Sequence, residues 1–264
     1  MLSGDAVTEL SSFARELALA ARSQTLQGLP RELAVEDKSK GGLFDPVTDA
    51  DRLAEQTMRE LIAQRYADHG IRGEEFPDQA ARGPFTWSLD PIDGTRSYIC
   101  GLPTWTTLIA LLEEEEPAIG VIDAPRLDET YLGAGGESIV IKGGEQSRLS
   151  TSGCRELAEA RFSTTDPFLF GPEAGVLQPI LRAVRVTRFG LDAYAYARLA
   201  AGDIDLVIEC GLKPHDYNAL VPVIRGAGGQ IGDWRGGSDF APGNVVAASS
   251  RELYDAAVAL LATE

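Results

Sequence analysis

A chain of 264 residues with 44% hydrophobic side chains can close a sizeable core as one large domain or two modest ones, which excludes a disordered polypeptide. A net charge of -16 excludes nucleic acid as a partner, because affinity for a phosphate backbone needs clustered Lys and Arg. The same charge would repel an anionic substrate unless something cationic sits in the site.

Residues 5–27 carry Leu10, Phe13, Ala14, Leu17, Ala18 and Ala21 at three-four spacing, which predicts an amphipathic helix. The stretch from Lys38 to Thr48 is punctuated by Gly and Pro and predicts a loop. Within it Lys38–Phe44 is a candidate lid, and Lys38 and Lys40 read as solvated loop lysines, with shielding of the acidic site by one of them as the alternative. Thr48 precedes a second helical pattern with Leu53, Met58, Leu61 and Ile62 on one side. Phe85 to Leu89 predicts a strand running into Asp90-Pro-Ile-Asp-Gly-Thr95. Residues 105–112, 118–123 and 137–142 predict neighbouring strands of one sheet.

Composition shifts near 143–156, dividing the chain into a half over 1–146 and a half over 147–264. Beyond the shift, elements alternate: a strand at Ala160–Thr164, a helix over 172–182, a strand over 184–188, a helix from Asp192 to Ala201 and a strand over 205–209. A helix then starts at Asp216 and stops at the Gly226–Gly229 cluster. After a buried strand over 243–249, Ser249 and Glu252 make a capping-box pattern before the last helix. The order predicts an α/β body with sheets covered by helices.

Cys100, Cys154 and Cys210 are odd in number and widely spaced, so a disulfide framework is not expected and a reducing cytoplasm is. The first residues lack the basic and apolar runs of a signal peptide. No apolar run approaches the ~20 residues that cross a bilayer.

The strongest local signal is Trp87-Ser-Leu-Asp90-Pro-Ile-Asp93-Gly-Thr95. A strand delivers Asp90 to its end, Pro91 restricts the backbone, and Asp93-Gly94 turns the chain. Both acids can then face one point, with the Ile92 carbonyl between them. The amides of Gly94 and Thr95 can meet an anion if they open a helix. The plain alternative is a turn with solvated acids. Glu74 and Glu75 sit in Arg-Gly-Glu-Glu-Phe-Pro, Asp51 lies three residues after Thr48, and Asp216 follows Pro214-His215. A surface turn, a capping pair and a helix N-cap would explain each of these separately. Convergence changes the weighing. Two carboxylates ~4 Å apart repel by ~4 kcal/mol at an effective dielectric near 20, so they need cations or protons. Magnesium takes oxygen ligands and keeps places for substrate phosphate.

The set Gly73-Glu-Glu75, Asp90-to-Thr95 and Pro214-His-Asp-Tyr-Asn-Ala-Leu220 resembles the inositol monophosphatase superfamily, as do Asp45-x-x-Thr48-x-x-Asp51 upstream and Gly226-Ala-Gly-Gly229 downstream. The likeness runs over nearly the whole chain. It implies a layered αβαβα sandwich, two or three magnesium ions per site, inhibition by lithium, a homodimer and a small-molecule phosphate monoester as substrate. By position it implies Glu74, Asp90, Asp93, the Ile92 carbonyl and Asp216 as metal ligands. Asp51 and Thr95 would orient and deprotonate the attacking water, Glu75 would support another water, and the Gly94 and Thr95 amides would hold phosphate. His215 stands where the family commonly has Trp, as a filler of an aromatic slot or a pocket residue.

Arg188-Phe-Gly-Leu-Asp192-Ala-Tyr194, Glu209 seven residues before Asp216, Thr106-Thr107 and Gly211-Leu-Lys-Pro214 resemble the histidinol-phosphatase branch. Asp93, Arg188, Asp192 and Glu209 are the implied substrate contacts, with Arg188 orienting the pocket through an ion pair. Acids in the outer pocket suit a cationic leaving group. For Asp192 an N-cap of the following helix is the competing reading. An inositol-type monophosphatase and a non-catalytic metal- or ligand-binding regulator are the alternatives in function. A bisphosphatase is disfavoured by the lack of a long basic insertion.

Overall fold

The computed structural model describes residues 2–27, 35–37 and 46–262. The candidate lid Lys38–Phe44, with Lys38 and Lys40, lies outside the described residues, as does Asp45. In chain order, α1 (Gly4–Gln27) is followed by an antiparallel pair, β1 (Val35–Asp37) and β2 (Pro46–Thr48), and by α2 (Asp49–Arg65). Seven strands then lie side by side in sequence order: β3 (Gly70–Gly73), β4 (Phe85–Asp93), β5 (Thr106–Glu113), β6 (Glu116–Ala124), β7 (Glu129–Ala134), β8 (Glu137–Lys142) and β9 (Glu145–Arg148). The first two pair in parallel and the rest antiparallel. A five-residue helix, α3 (Thr95–Ile99), follows β4.

The second sheet comprises β10 (Arg161–Thr164), β11 (Val186–Phe189), β12 (Leu206–Glu209), β13 (Gln230–Gly232) and β14 (Val245–Ala248), in the spatial order β11-β10-β12-β14-β13. The helices of this half are α4 (Leu177–Ala183), α5 (Tyr194–Ala200), α6 (Pro214–Tyr217), α7 (Leu220–Gly226) and α8 (Arg251–Leu261).

Side-chain alternation along the strands assigns each face to a layer. On β5, Ile109 and Leu111 join Trp87 and Leu89 against Phe13, Leu17 and Met58 of α1 and α2. Leu108 and Ala110 point the other way, to α5 and α7. Val207, Val245 and Ala247 close that middle layer from the second sheet. Their neighbours Leu206, Ile208, Val246 and Ala248 face Ile180, Leu253 and Ala257 of α4 and α8. The architecture is the expected αβαβα sandwich. Each large apolar side chain removed from water contributes about 1.5–3 kcal/mol, so the layers are held by their shared faces.

Several local expectations are corrected. The predicted neighbours 118–123 and 137–142 are separated by β7, a strand outside the predicted set. Leu53 is 52% exposed, and the buried stripe of α2 runs through Ala50, Asp51, Ala54, Glu55, Met58 and Ile62. In place of the predicted 172–182 helix, the α-helix is Leu177–Ala183, and 3-10 turns with a kink at Gly171 precede it. The helix predicted from Asp216 is two short helices, α6 and α7, with Asp216 third in the first. The cap of α8 is Ser250, whose Oγ accepts from the Leu253 N–H, while Ser249 donates its hydroxyl to the Cys154 carbonyl.

Candidate active site

The site is built where β4 ends. Residues three apart on a regular strand point to opposite faces, so Asp90 and Asp93 would diverge. The β4–β5 register shifts between them: Asp90 pairs with Leu108, Asp93 with Thr106, and one extra residue is accommodated on β4. Such a bulge restores a common direction and tolerates Pro91, which cannot donate to the ladder. Thr107 clamps the bulge by donating its hydroxyl to the Pro91 carbonyl at 2.8 Å. Asp216 arrives on α6 from a distant part of the chain. Asn218, just after it, donates to Ser88 Oγ on β4 at 3.2 Å in a buried contact, which seats α6 against the strand. Ligand oxygens of Asp90, Asp93 and Asp216 then lie within 4.8 Å of one another.

The remaining family-type positions gather around this cluster. Thr48 donates from both its N–H and its hydroxyl to Asp51 Oδ2, at 2.9 and 2.6 Å. That capping contact leaves Asp51 Oδ1 buried without a hydrogen-bond partner among the described residues. Glu74 lines the same cavity as the three aspartates. Glu75 bears electrostatically on Asp51. Gly94 (φ +78°) turns the chain into α3. A Cβ there would also lie 2.7 Å from Asp192 Oδ2, so two separate constraints require glycine. Thr95 donates its hydroxyl to the Ile92 carbonyl at 3.1 Å; among the described residues no hydrogen bond joins it to Asp51.

The cavity, about 380 Å³, extends from the cluster over Glu209, Asp192, Cys210 and His215. Glu209 ends β12 and accepts from the Thr165 N–H at 2.6 Å, the Thr165 hydroxyl at 2.9 Å and the Thr164 hydroxyl at 3.3 Å. Asp192 adopts the left-handed conformation (φ +49°) that Asp tolerates better than most residues. Its carboxylate accepts from Ser97 rather than from the first turn of α5, which removes the N-cap reading. The next amide, Ala193, donates to Asp93 Oδ2 at 2.7 Å and ties α5 to the cluster. His215 lines the cavity with Nε2 3.5 Å from Asp216 Oδ1. Arg188 is exposed on the edge strand β11, does not line this cavity, and forms no ion pair among the described residues. Sequence reasoning passed over Asn218, Ser97, Thr164-Thr165 and the Ala193 amide. Asn218 and Ala193 stand within two residues of an acid of the cavity, whereas Thr164-Thr165 and Ser97 lie far along the chain from the acids they hold and carry no local signal.

Burial, then the charges of Glu74 and Asp93, pushes the Asp90 carboxyl well above the usual range. Burial, then Asp192 and Asp216, does the same to Asp93. Asp216 is raised by burial against the opposing pull of His215. Burial lifts Asp51 to about 6 against its Thr48 hydrogen bonds. Glu209 is pushed to about 8 by burial, against its Thr165 contacts. Among the described residues no Lys or Arg pairs with Asp90 or Asp93, and Asp90 Oδ1, like Asp51 Oδ1, is buried without a partner. An all-oxygen donor set with orphaned carboxylate oxygens fits a hard divalent cation.

The profile of the inositol monophosphatase family matches residues 6–264. The chain belongs to the inositol monophosphatase family. That family comprises phosphatases of small phosphate monoesters that generally depend on magnesium. A histidinol-phosphatase of Mycobacterium tuberculosis is 34% identical over 229 residues, covering 81% of this chain and 84% of that protein. A bifunctional phosphatase, IMPL2, of Arabidopsis thaliana chloroplasts is 43% identical over 235 residues, covering 87% of this chain but 66% of that protein. The solved structure of an inositol monophosphatase from Zymomonas mobilis superposes with a TM-score of 0.85 at 36% identity, covering 97% of this chain and 98% of that one. Among the described residues no helix is long and apolar enough to cross a membrane.

Proposed function

We propose that this member of the inositol monophosphatase family is a histidinol-phosphate phosphatase, splitting L-histidinol phosphate with water to L-histidinol and phosphate. The observation that carries the substrate is a second set of acids. Glu209 and Asp192 line the cavity but stand outside the Asp90–Asp93–Asp216 cluster. A buried carboxylate favours a cationic partner, and the leaving alcohol of this ester carries an amine and an imidazole. An inositol offers only neutral hydroxyls, which can donate to such an acid but form none of the charge-assisted bonds that an amine or imidazolium makes. The likeness to a protein named histidinol-phosphatase supports the same choice.

Glu74, Asp90, Asp93, Asp216 and the Ile92 carbonyl would hold magnesium, which when bound supplies the positive charge a phosphate ester needs and the acidity a water nucleophile lacks. Asp51, lifted to about 6 with Oδ1 unpartnered, is suited to accept a proton near neutral pH. Thr95 would relay that proton, and Glu75 would steady a second water. The Gly94 and Thr95 amides at the start of α3 would bind phosphate oxygens. Glu209 and Asp192 would orient the leaving alcohol. These are roles of positioning and electrostatics, with no covalent intermediate required.

Turnover of L-histidinol phosphate and inositol 1-phosphate by the magnesium-loaded protein tests the reading. A kcat/KM at least tenfold higher for the histidinol ester is expected, and the reverse ratio would transfer the chain to the inositol-type alternative. That alternative draws on the likeness to the Zymomonas mobilis enzyme. Asp192→Asn should weaken the histidinol ester more than a neutral ester; equal losses would reduce Asp192 to a partner of Ser97.

A further inference from the structure

We infer that Glu55 and Arg59, an ion pair on α2 outside the cavity, are positioning residues that strap the Glu74–Glu75 loop to the helix carrying Asp51 and thereby set the affinity of the acidic cluster for its cation. The inference rests on reading Glu74 as a cation ligand.

Asp51, Glu55 and Arg59 are spaced by four, so they lie along one face of α2 in successive turns. Glu55 is fully buried. Its Oε1 accepts from Arg59 Nε at 2.7 Å, and its Oε2 accepts from the Glu75 N–H at 2.8 Å. The other two guanidinium nitrogens of Arg59 donate to the carbonyls of Phe76 and Pro77, each at 3.1 Å. The guanidinium also stands over the Phe76 ring, 5.8 Å from its centre. Three consecutive residues, 75 to 77, are therefore held to one helix face, immediately beside Glu74. The approach explains the glycine before Glu74: a Cβ on Gly73 would lie 2.0 Å from Glu55 Oε1.

The strap answers a physical problem. Before a cation binds, Glu74 faces the like charges of Asp90, Asp51 and Asp216, which drive its loop away. A backbone tied at three points resists that repulsion and presents the carboxylate where the cation needs it. Because Asp51 rides on the same helix, the strap also sets the distance between the cluster and its proton acceptor. Groups that orient ligands in this way change metal affinity by about 10–100-fold when altered.

The test uses Arg59→Lys, which keeps a cation for Glu55 but cannot span two carbonyls, and Glu55→Gln, which keeps an acceptor for the Glu75 N–H but loses the charge. Glu55→Gln/Arg59→Met removes both charges together and carries the measurement if a single variant is unfolded. Manganese binding by electron paramagnetic resonance, the magnesium concentration for half-maximal phosphate release, and thermal melting are read on each. Binding of Mn2+ about tenfold weaker, a matching rise in the Mg2+ midpoint, and recovery of kcat at saturating Mg2+ are expected. Folded variants that bind Mn2+ as tightly as the native protein, with only a lower Tm, would overturn the inference and leave the ligand set standing. A native protein that binds no Mn2+ would remove the ligand reading of Glu74 and the strap with it.

Discussion

Asp123 and Asp90 are buried carboxylates two strands apart in the same sheet, and the chain treats them in opposite ways. Arg22 of α1 reaches Asp123 with two nitrogens, at 2.7 and 2.9 Å, and Thr130 completes the shell at 2.7 Å. Among the described residues Asp90 has an oxygen with no partner, and it is faced by Glu74, Asp93 and Asp216. The same division recurs elsewhere. Asp205 is paired with Arg161, and Glu55 with Arg59, whereas Glu209 is held by threonines alone among the described residues. Acids that join layers or loops receive an arginine from the fold. Among the described residues the acids of the cavity receive no arginine partner; on the proposed reading a cation would neutralise the cluster and a cationic leaving group would take the place of the proton that burial keeps on Glu209. The difficulty posed by a net charge of -16 is thus resolved locally.

The sharpest way to break this contrast is to neutralise one member of each class. Asp90→Asn should lower phosphate release by about 10³-fold or more, since charge-stabilising groups of an active site carry effects of that order. The metal-free Tm should stay level or rise, because a like charge has been removed. A variant keeping a tenth of native turnover would show that Asp90 is not in the machinery. Arg22→Ala is the converse. It strands Asp123 in the interior and should cost about 3–5 kcal/mol in urea unfolding, with turnover per folded molecule unchanged. A loss under about 1 kcal/mol would mean that water replaces Arg22 and the two classes differ less than their contacts suggest.

The pH dependence sharpens the comparison further. Glu209 is raised from 4.5 to about 8 by burial, so between those values the folded state holds a proton that the unfolded chain has released. Its contribution to stability is therefore complete below pH 4.5 and is lost as pH rises towards 8. Glu209→Gln should flatten the decline of Tm with pH across that window. An unchanged slope would mean that Glu209 is solvated. The smallest effect concerns a cap: Ser250→Ala should cost about 1 kcal/mol in thermal or urea unfolding, and a larger loss for Ser249→Ala would reverse the assignment.

These residues also mark how far the sequence could be read. The faces of α1, the strand leading into Asp90 and the alternation of the second half follow from periodicity, because burial repeats every 3.6 or 2 residues whatever lies opposite. Leu53 departs from its expected face because helical spacing carries no information about which side finds a partner, and β7 is a strand that the sequence reading did not include. Asp192 read equally well as a cap or a pocket acid, and only the position of Ser97, 95 residues earlier, decided between them.

The acids at the turn after Trp87, the motifs that resemble the family and a body of sheets covered by helices are legible in local spacing and residue type, whereas the order of the layers was only implied by the resemblance. Tertiary structure alone decided that a one-residue bulge aims Asp90 and Asp93 together, that Asn218 seats Asp216 beside them, and that Arg59 is spent on Glu55 rather than on the cluster. Those outcomes depend on through-space distances between segments remote along the chain, where electrostatic and hydrogen-bond energies act and linear spacing is silent.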